Sequence, residues 1–392
     1  MLTEDLVRDA EARLLARIDG TVAEVGMGFP HAADGRIGGW EVKPDGSWTG
    51  GFWVGCCWLA HALTGEPRYR TWGLEWAQRL RGRERDLTHD IGFLFQYAAV
   101  LGWQTVGEPA LRALALAAAD QLLAMWLPRA RVIPVGTRAD VSAGTDDVTI
   151  DCLMNLQVLW WAAWETGGAR YREVALAHAE RTAAWHVRPD GSCVQSVHFD
   201  PETGDPVKKH THQGYSPEGT WSRGLGWCAY GFLEAYRATG RPEFLQIARN
   251  AAEYHLRRMP DDGVPFYDYD DPQIPGVSRD TSAAAILASA CLGLAEVEGN
   301  SRFREAAGGI LESLIRGYLT PLGPDDRRPP GMLLHGCYNL HTGEAPDHEL
   351  IWGDYFLLEA LARWQGRSPR IWGPPRGAAY PGPRADDEEN CT

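Results

Sequence analysis

No stretch of this sequence holds the roughly 18 uninterrupted apolar residues that a membrane-crossing helix needs, so a membrane partner is not expected. Cysteine is sparse and scattered, eight residues from Cys56 to Cys391 with no CxxC and no Cys/His pairing at zinc-finger spacing. That pattern argues against a disulfide-stapled scaffold and a structural metal site, and fits reduced, structural thiols. Basic residues are outnumbered, 38 against 52 acidic, and the net charge of -14 has the wrong sign for a chain held on nucleic acid by long-range electrostatics. The first residues, MLTEDLVRDAEARLLARI, lack the basic start and apolar segment of a secretory signal. The expectation is a cytoplasmic protein, monomeric or homo-oligomeric. Strand patterning is almost missing as well, because alternating apolar runs are short.

What is present is apolar residues at three- and four-residue spacing, 17 Trp and 44 Gly, which together read as an all-α protein. A punctuation mark recurs: TGEPRY at 64–69, VGEPAL at 106–111, TGGARY at 166–171, TGRPEF at 239–244 and EGNSRF at 298–303. Each sets Gly where a helix would end and an aromatic or Leu where the next apolar periodicity opens, the short turn of a helical hairpin. Reading outward gives helices over 50–64 with 67–85, 90–106 with 109–127, 149–166 with 170–187, 220–239 with 242–258 and 280–298 with 301–318. Helices at 3–20 and 352–364 bring the number to twelve. The earlier member of each hairpin is apolar on all sides, as in GFWVGCCWLAHAL and CLMNLQVLWWAAW, and the later one is amphipathic. A helix apolar all round is buried, so the expected fold is an (α/α)6 barrel, a ring of six buried helices inside six amphipathic ones.

The other connections, 21–49, 128–148, 188–219, 259–279 and 319–351, are long and rich in Gly, Pro, Asp and aromatics. Long loops in a compact domain are usually functional. Each leads from an outer helix to the next inner one, so all lie at one mouth, toward which the inner-helix N-termini aim their partial positive charge. Candidate residues there are Trp40, His89, Asp90, Asp151, Asp280 and the run HTHQGYSPEGTWSRGLGW from His210 to Trp227. Two carboxylates at one mouth suit acid/base work on a glycosidic or related bond, with aromatic faces for sugars. Asp is also a favoured helix cap, so Asp90, Asp151 and Asp280 each have a purely structural reading, as does Arg223 paired with an internal carboxylate.

The segments THDIGFLFQYA (88–98), IDCLMNLQVLWWA (150–162), RPDGS (188–192), FDPETGDPVKKHTHQGYSPEGTWSRGLGWCAYGF (199–232), RDTSAAAILASACLGL (279–294) and IWGDYFLLEAL (351–361) resemble glycoside hydrolase family 88, the unsaturated glucuronyl hydrolases. The resemblance spans residues 1–365, a single catalytic (α/α)6 domain, and leaves 366–392 as a Pro/Gly-rich acidic tail. It implies a substrate made by polysaccharide lyases, an oligosaccharide ending in a uronate unsaturated between C4 and C5. It implies Asp151 as general acid/base and Asp90 as the second essential carboxylate. Gln213, Trp221, Arg223 and Trp227 match sugar and carboxylate contacts, Trp40 looks like a further stacking residue, and His89 and Thr211 join them as substrate-binding candidates. Gln195 departs from the His that the family often carries after RPDGS.

The unsaturated ring is a vinyl ether whose C4 can take a proton, after which water adds at C5 and the hydrated sugar opens to release the aglycone. One carboxyl can serve as acid and then base, and an ionised Asp90 beside Asp151 would favour the protonated form. No metal or organic cofactor is implied. An unsaturated rhamnogalacturonyl hydrolase, a conventional inverting glycosidase and a non-catalytic sugar-binding toroid are the alternatives.

Overall fold

All five expected hairpin turns close on a glycine in the left-handed region, Gly65, Gly107, Gly167, Gly240 and Gly299, with φ from 63 to 72°. Glycine reaches that conformation without a Cβ penalty. At three of the turns a threonine clasps the chain: Thr64, Thr166 and Thr239 donate to the carbonyl four residues back and accept from the N–H two residues on. Pro67, Pro109 and Pro242 then open the next helix at its first turn, where no N–H is needed.

The computed structural model describes residues 2–34, 39–136, 146–320 and 331–369. Among them run twelve helices: α1 Glu4–Val25, α2 Gly50–Thr64, α3 Pro67–Arg79, α4 from Ile91–Phe95 through a π-helical turn Gln96–Val100 to Leu101–Val106, α5 Pro109–Ala124, α6 from Cys152–Asn155 to Gln157–Thr166, α7 Ala169–Trp185, α8 Ser222–Thr239, α9 Pro242–Arg258, α10 Thr281–Glu298, α11 Ser301–Ser313 ending in a π turn Leu314–Tyr318, and α12 Ile351–Trp364. The even-numbered helices touch one another in sequence, α2 to α4 and on to α12, and α12 packs back on α2. That contact closes the inner ring, and the odd-numbered helices lie outside it, giving the expected (α/α)6 barrel.

Burial separates the two layers. Every α10 residue from Thr281 to Leu294 is buried, whereas α9 buries only one stripe, including Phe244, Ala248, Ala252 and His255. Helix α10 is long and apolar enough to cross a membrane, yet 78% of that window is buried inside the ring. Small residues let the inner helices approach closely. A Cβ on Gly92 of α4 would lie 2.4 Å from the Asn155 backbone of α6, and one on Gly231 of α8 would lie 2.5 Å from Leu153 Cβ.

The near-absence of strands expected from the sequence is corrected at the mouth. Two three-stranded antiparallel sheets form there, in the orders β2-β1-β6 and β3-β4-β5. Their strands are β1 Phe29–Ala33, β2 Trp40–Lys43, β3 Asp147–Thr149, β4 Ser196–Phe199, β5 Pro206–His210 and β6 Glu349–Leu350. Segments of two to five residues are too short to show a period-two pattern. The first sheet joins the loop before α2 to the loop before α12, and the second joins the loops before α6 and α8. Backbone bridges Thr88–Gly136 and Trp221–Asp268 link further loops. The long connections thus form one continuous rim over the inner-helix starts. The tail expected over 366–392 lies, from residue 370 onward, outside the described residues.

Candidate active site

Three aspartates stand at the starts of inner helices, and their side chains do different things. Asp280 is a true cap: its Oδ1 accepts from Ser282 N at 3.1 Å and Ser282 Oγ at 2.5 Å, while Oδ2 sits 2.5 Å from Arg223 Nη1. Asp90 and Asp151 occupy the cap positions of α4 and α6 without a side-chain capping bond. Among the described residues, Asp151 Oδ1 is buried with no hydrogen-bond partner. Since α4 and α6 are neighbours in the inner ring, the two uncapped carboxylates stand on adjacent helix starts.

The loops beneath them form one hydrogen-bonded support. His89 N–H donates to Val135 O at 3.0 Å, Val135 N–H to Asp147 O at 2.7 Å, and Ile150 N–H to Gln195 O at 2.8 Å. His89 was expected among the substrate contacts, but it is fully buried. Its Nδ1 lies 2.6 Å from Cys152 Sγ and its Nε2 3.3 Å from Asp90 Oδ1. Burial works against charge on this imidazole, yet Cys152 and the Asp90 carboxylate outweigh it and lift the His89 pKa well above its ordinary value.

The run before α8 is pinned from several sides. Gln195 Oε1 accepts from Thr211 Oγ1 and from the N–H groups of His212 and Gln213, at 2.9 and 3.0 Å, and its Nε2 donates to Gln213 Oε1 at 2.9 Å. Where the family often has His, this Gln ties the loop together. Thr211 also accepts from Gly214 N–H, so its hydroxyl shapes the turn. Buried Asp268 accepts from Tyr215 N–H at 2.8 Å and Thr220 N–H at 3.3 Å.

Gln213 and Arg223 converge on one carbonyl. Gln213 Nε2 donates to Tyr338 O at 3.1 Å and Arg223 Nη2 to the same oxygen at 2.7 Å, and Arg223 also bonds Cys337 O. Arg223 is 1% exposed, with its guanidinium 4.6 Å over the Trp221 ring. It pairs with the internal carboxylate Asp280, as its second reading anticipated. The Tyr338 ring packs against Trp48, whose indole N–H donates to Tyr338 Oη at 3.2 Å, and both touch Trp352.

Two aromatics expected as platforms are buried. Trp227 is 1% exposed and wedged between Phe93 and Phe356, in the aromatic floor of the ring. Trp40 packs against α1, its indole N–H donating to Thr21 and its backbone N–H to Glu24. Half-buried Trp48 is the tryptophan that joins the cluster containing Phe93 and Tyr338. Its signal was available: Trp48 lies two residues before α2, as Asp90 and Trp221 lie just before α4 and α8. Tyr338 had no such signal, since it sits within the long loop before α12. Among the described residues, no group of three or more His, Cys, Asp or Glu is arranged to hold a metal ion.

The family model described as Glycosyl Hydrolase Family 88 matches residues 30–296. The unsaturated glucuronyl hydrolase of Bacillus sp. strain GL1 is 37% identical over 354 residues, covering 88% of this chain and 93% of the relative. The crystal structure of the unsaturated glucuronyl hydrolase of Bacillus sp. GL1, responsible for the degradation of glycosaminoglycan, superimposes with a TM-score of 0.88 at 35% identity, over 95% of this chain and 100% of that one. A solved complex of UGL with dGlcA-Glc-Rha-Glc gives a TM-score of 0.88 at 34% identity, over 96% of this chain and 100% of that one. The chain belongs to glycoside hydrolase family 88.

Proposed function

We propose that Asp151 is the acid/base and Asp90 the second essential carboxylate of a reaction in which this glycosidase removes the unsaturated glucuronate from the non-reducing end of lyase-generated oligosaccharides. The single observation that carries the assignment is the contrast between the three helix-start aspartates. Asp280 is consumed by capping and by Arg223, whereas Asp90 and Asp151 are left uncapped on adjacent inner helices. Asp151, whose buried Oδ1 meets no hydrogen-bond partner among the described residues, keeps its carboxyl available to a substrate, with Asp90 on the neighbouring helix start.

Asp151 gives its proton to C4, and the electron pair of the C4–C5 double bond forms the new C–H bond. The positive charge left on C5 is shared with the ring oxygen. Water adds at C5 and passes its proton to the Asp151 carboxylate, which restores the acid. The resulting hemiketal opens at the bond between C5 and the ring oxygen, and the acetal at C1 becomes a hemiacetal that collapses and releases the aglycone alcohol. One water is consumed, and the C1–aglycone bond is lost without direct attack on it. Gln213 and Arg223 hold the Tyr338 carbonyl and so set the wall of Trp48 and Tyr338 against which the sugar lies. Residues 1–365 act as the single catalytic domain, in the cytoplasm, on a soluble oligosaccharide.

The test is to offer a lyase-generated unsaturated disaccharide and follow loss of its ultraviolet absorbance in deuterated water. Deuterium at C4 of the product, with no turnover of the matching saturated glucuronide, is the expected outcome. A released sugar that keeps its double bond and carries labelled water oxygen at C1 would restore direct glycosidic hydrolysis.

A further inference from the structure

The chain places His89 and Asp90 at the start of α4 and Asp151 and Cys152 at the start of α6. Each proposed carboxylate therefore has a buried chain neighbour, and those neighbours meet. His89 Nδ1 lies 2.6 Å from Cys152 Sγ, and His89 Nε2 lies 3.3 Å from Asp90 Oδ1. Both side chains border one gap with Asn155 and His178. From these contacts we infer that the His89–Cys152 pair is a positioning device for Asp90, one that locks the ring so that Nε2 faces the carboxylate and ties the two helix starts to each other.

The charge of the ring follows from the partners. Asp90 Oδ1 lies 3.3 Å from Nε2, a charge contact that sets the carboxylate beside the ring. Cys152 Sγ also lies 3.7 Å from Ile133 O, so the sulfur is held between the ring and a carbonyl of the loop before α6. The carboxylate and the sulfur beside the ring favour its cationic form, and that charge in turn favours the ionised form of Asp90. The titratable groups facing His89 are Asp90 on its own element, Cys152 from α6 and His178 from α7. Of these, His178 is held neutral, its pKa lowered to about 3 by burial, His186 and His89. His89 never meets the sugar; it acts through Asp90. This inference rests on the role proposed for Asp90.

The full-length protein and its Cys152→Ala, Cys152→Ser and His89→Gln variants are assayed on the unsaturated disaccharide across pH. Expected is a fall in kcat of about 10-fold for Cys152→Ala and His89→Gln, as for misplacement of a reacting group, with KM changed less than about 2-fold. The acid limb of the kcat profile should move up by about one pH unit as Asp90 loses its cationic neighbour. Cys152→Ser, which keeps a polar contact to Nδ1, should recover most of the rate. Wild-type rates and an unmoved pH profile in Cys152→Ala and His89→Gln, even with a lowered melting temperature, would show the pair to be packing alone and overturn the inference. If His89→Gln fails to fold, the two Cys152 variants decide it. A substrate-free reading separates this from the function itself: in histidine NMR the wild-type His89 ring titrates above the ordinary histidine range, and it titrates lower in Cys152→Ala. Identical titrations would overturn the inference whatever the wild type does with the disaccharide.

Discussion

A helix-start aspartate can cap, pair or react, and the hydrogen bonds of Asp280, Asp90 and Asp151 separate these uses. Replacing Asp151 by Asn should lower kcat by about 100- to 10,000-fold, the usual contribution of a general acid/base group, with little change in stability because no cap or ion pair is lost. Asp90→Asn should lower kcat to a similar degree, and it should also cost some stability because buried His89 loses the carboxylate beside it. Asp280→Asn should give the reverse. Asn still caps a helix, but it leaves the fully buried Arg223 without its countercharge, and breaking a buried pair costs about 3 to 5 kcal/mol. Denaturant melts and initial rates on the same three proteins check all three expectations. A strongly destabilised but fully active Asp151→Asn would return that residue to the capping role. At this scale the carboxylates were legible in the sequence as positions, since each opens an inner helix, but capping and catalysis look alike until the hydrogen bonds are seen.

Helices and loops were legible to different degrees, for a physical reason. The inner helices announce themselves by being apolar on every face, and the turns by one glycine each, because both signals are local. Helix α4 also shows how close packing fixes the geometry of the site. Two residues after Asp90 comes Gly92, whose missing side chain allows α4 to lie against Asn155 of α6. Gly92→Ala would place a methyl 2.4 Å from the Asn155 backbone, so the two helix starts must separate. Overpacking of this kind costs about 1 to 3 kcal/mol. The expected result is a lower melting temperature together with a loss of kcat, since Asp90 moves relative to Asp151. The comparison Gly309→Ala, on α11 with open space at its Cβ, should leave kcat unchanged and raise the melting temperature slightly, since Ala favours a helix interior over Gly. Full activity in Gly92→Ala would show that the spacing of the two helix starts is not critical. The short strands, by contrast, depend on partners distant in sequence, such as Ala33 with Trp40 and Glu349. A two-residue β6 carries no pattern of its own, and so the wall at Tyr338 went unseen.

Across the whole molecule, the ring closes where α12 meets α2, and the loop that delivers Tyr338 is anchored at that seam. Asp354 on α12 accepts from Met332 N–H at 3.0 Å and Leu333 N–H at 3.1 Å, fastening the loop that leads to Tyr338. Burial pushes the Asp354 carboxyl up to about 8, against the opposing pull of those N–H groups and of Arg17. An unfolded aspartate titrates near ~3.9, so between these values the folded chain holds a proton that the unfolded chain has released. The contribution of Asp354 to stability is therefore complete below about pH 4 and is lost as pH rises through its folded value. Asp354→Asn keeps an acceptor for both N–H groups and removes the titration. Melting temperature should fall between about pH 5 and about pH 9 more steeply in the wild type than in the variant. The wild-type loss should be accompanied by increased exposure of the seam, read as faster hydrogen exchange at Met332 and Leu333. Parallel melting curves for the two proteins across that range would mean that the N–H groups hold the carboxylate ionised and that the seam is indifferent to pH.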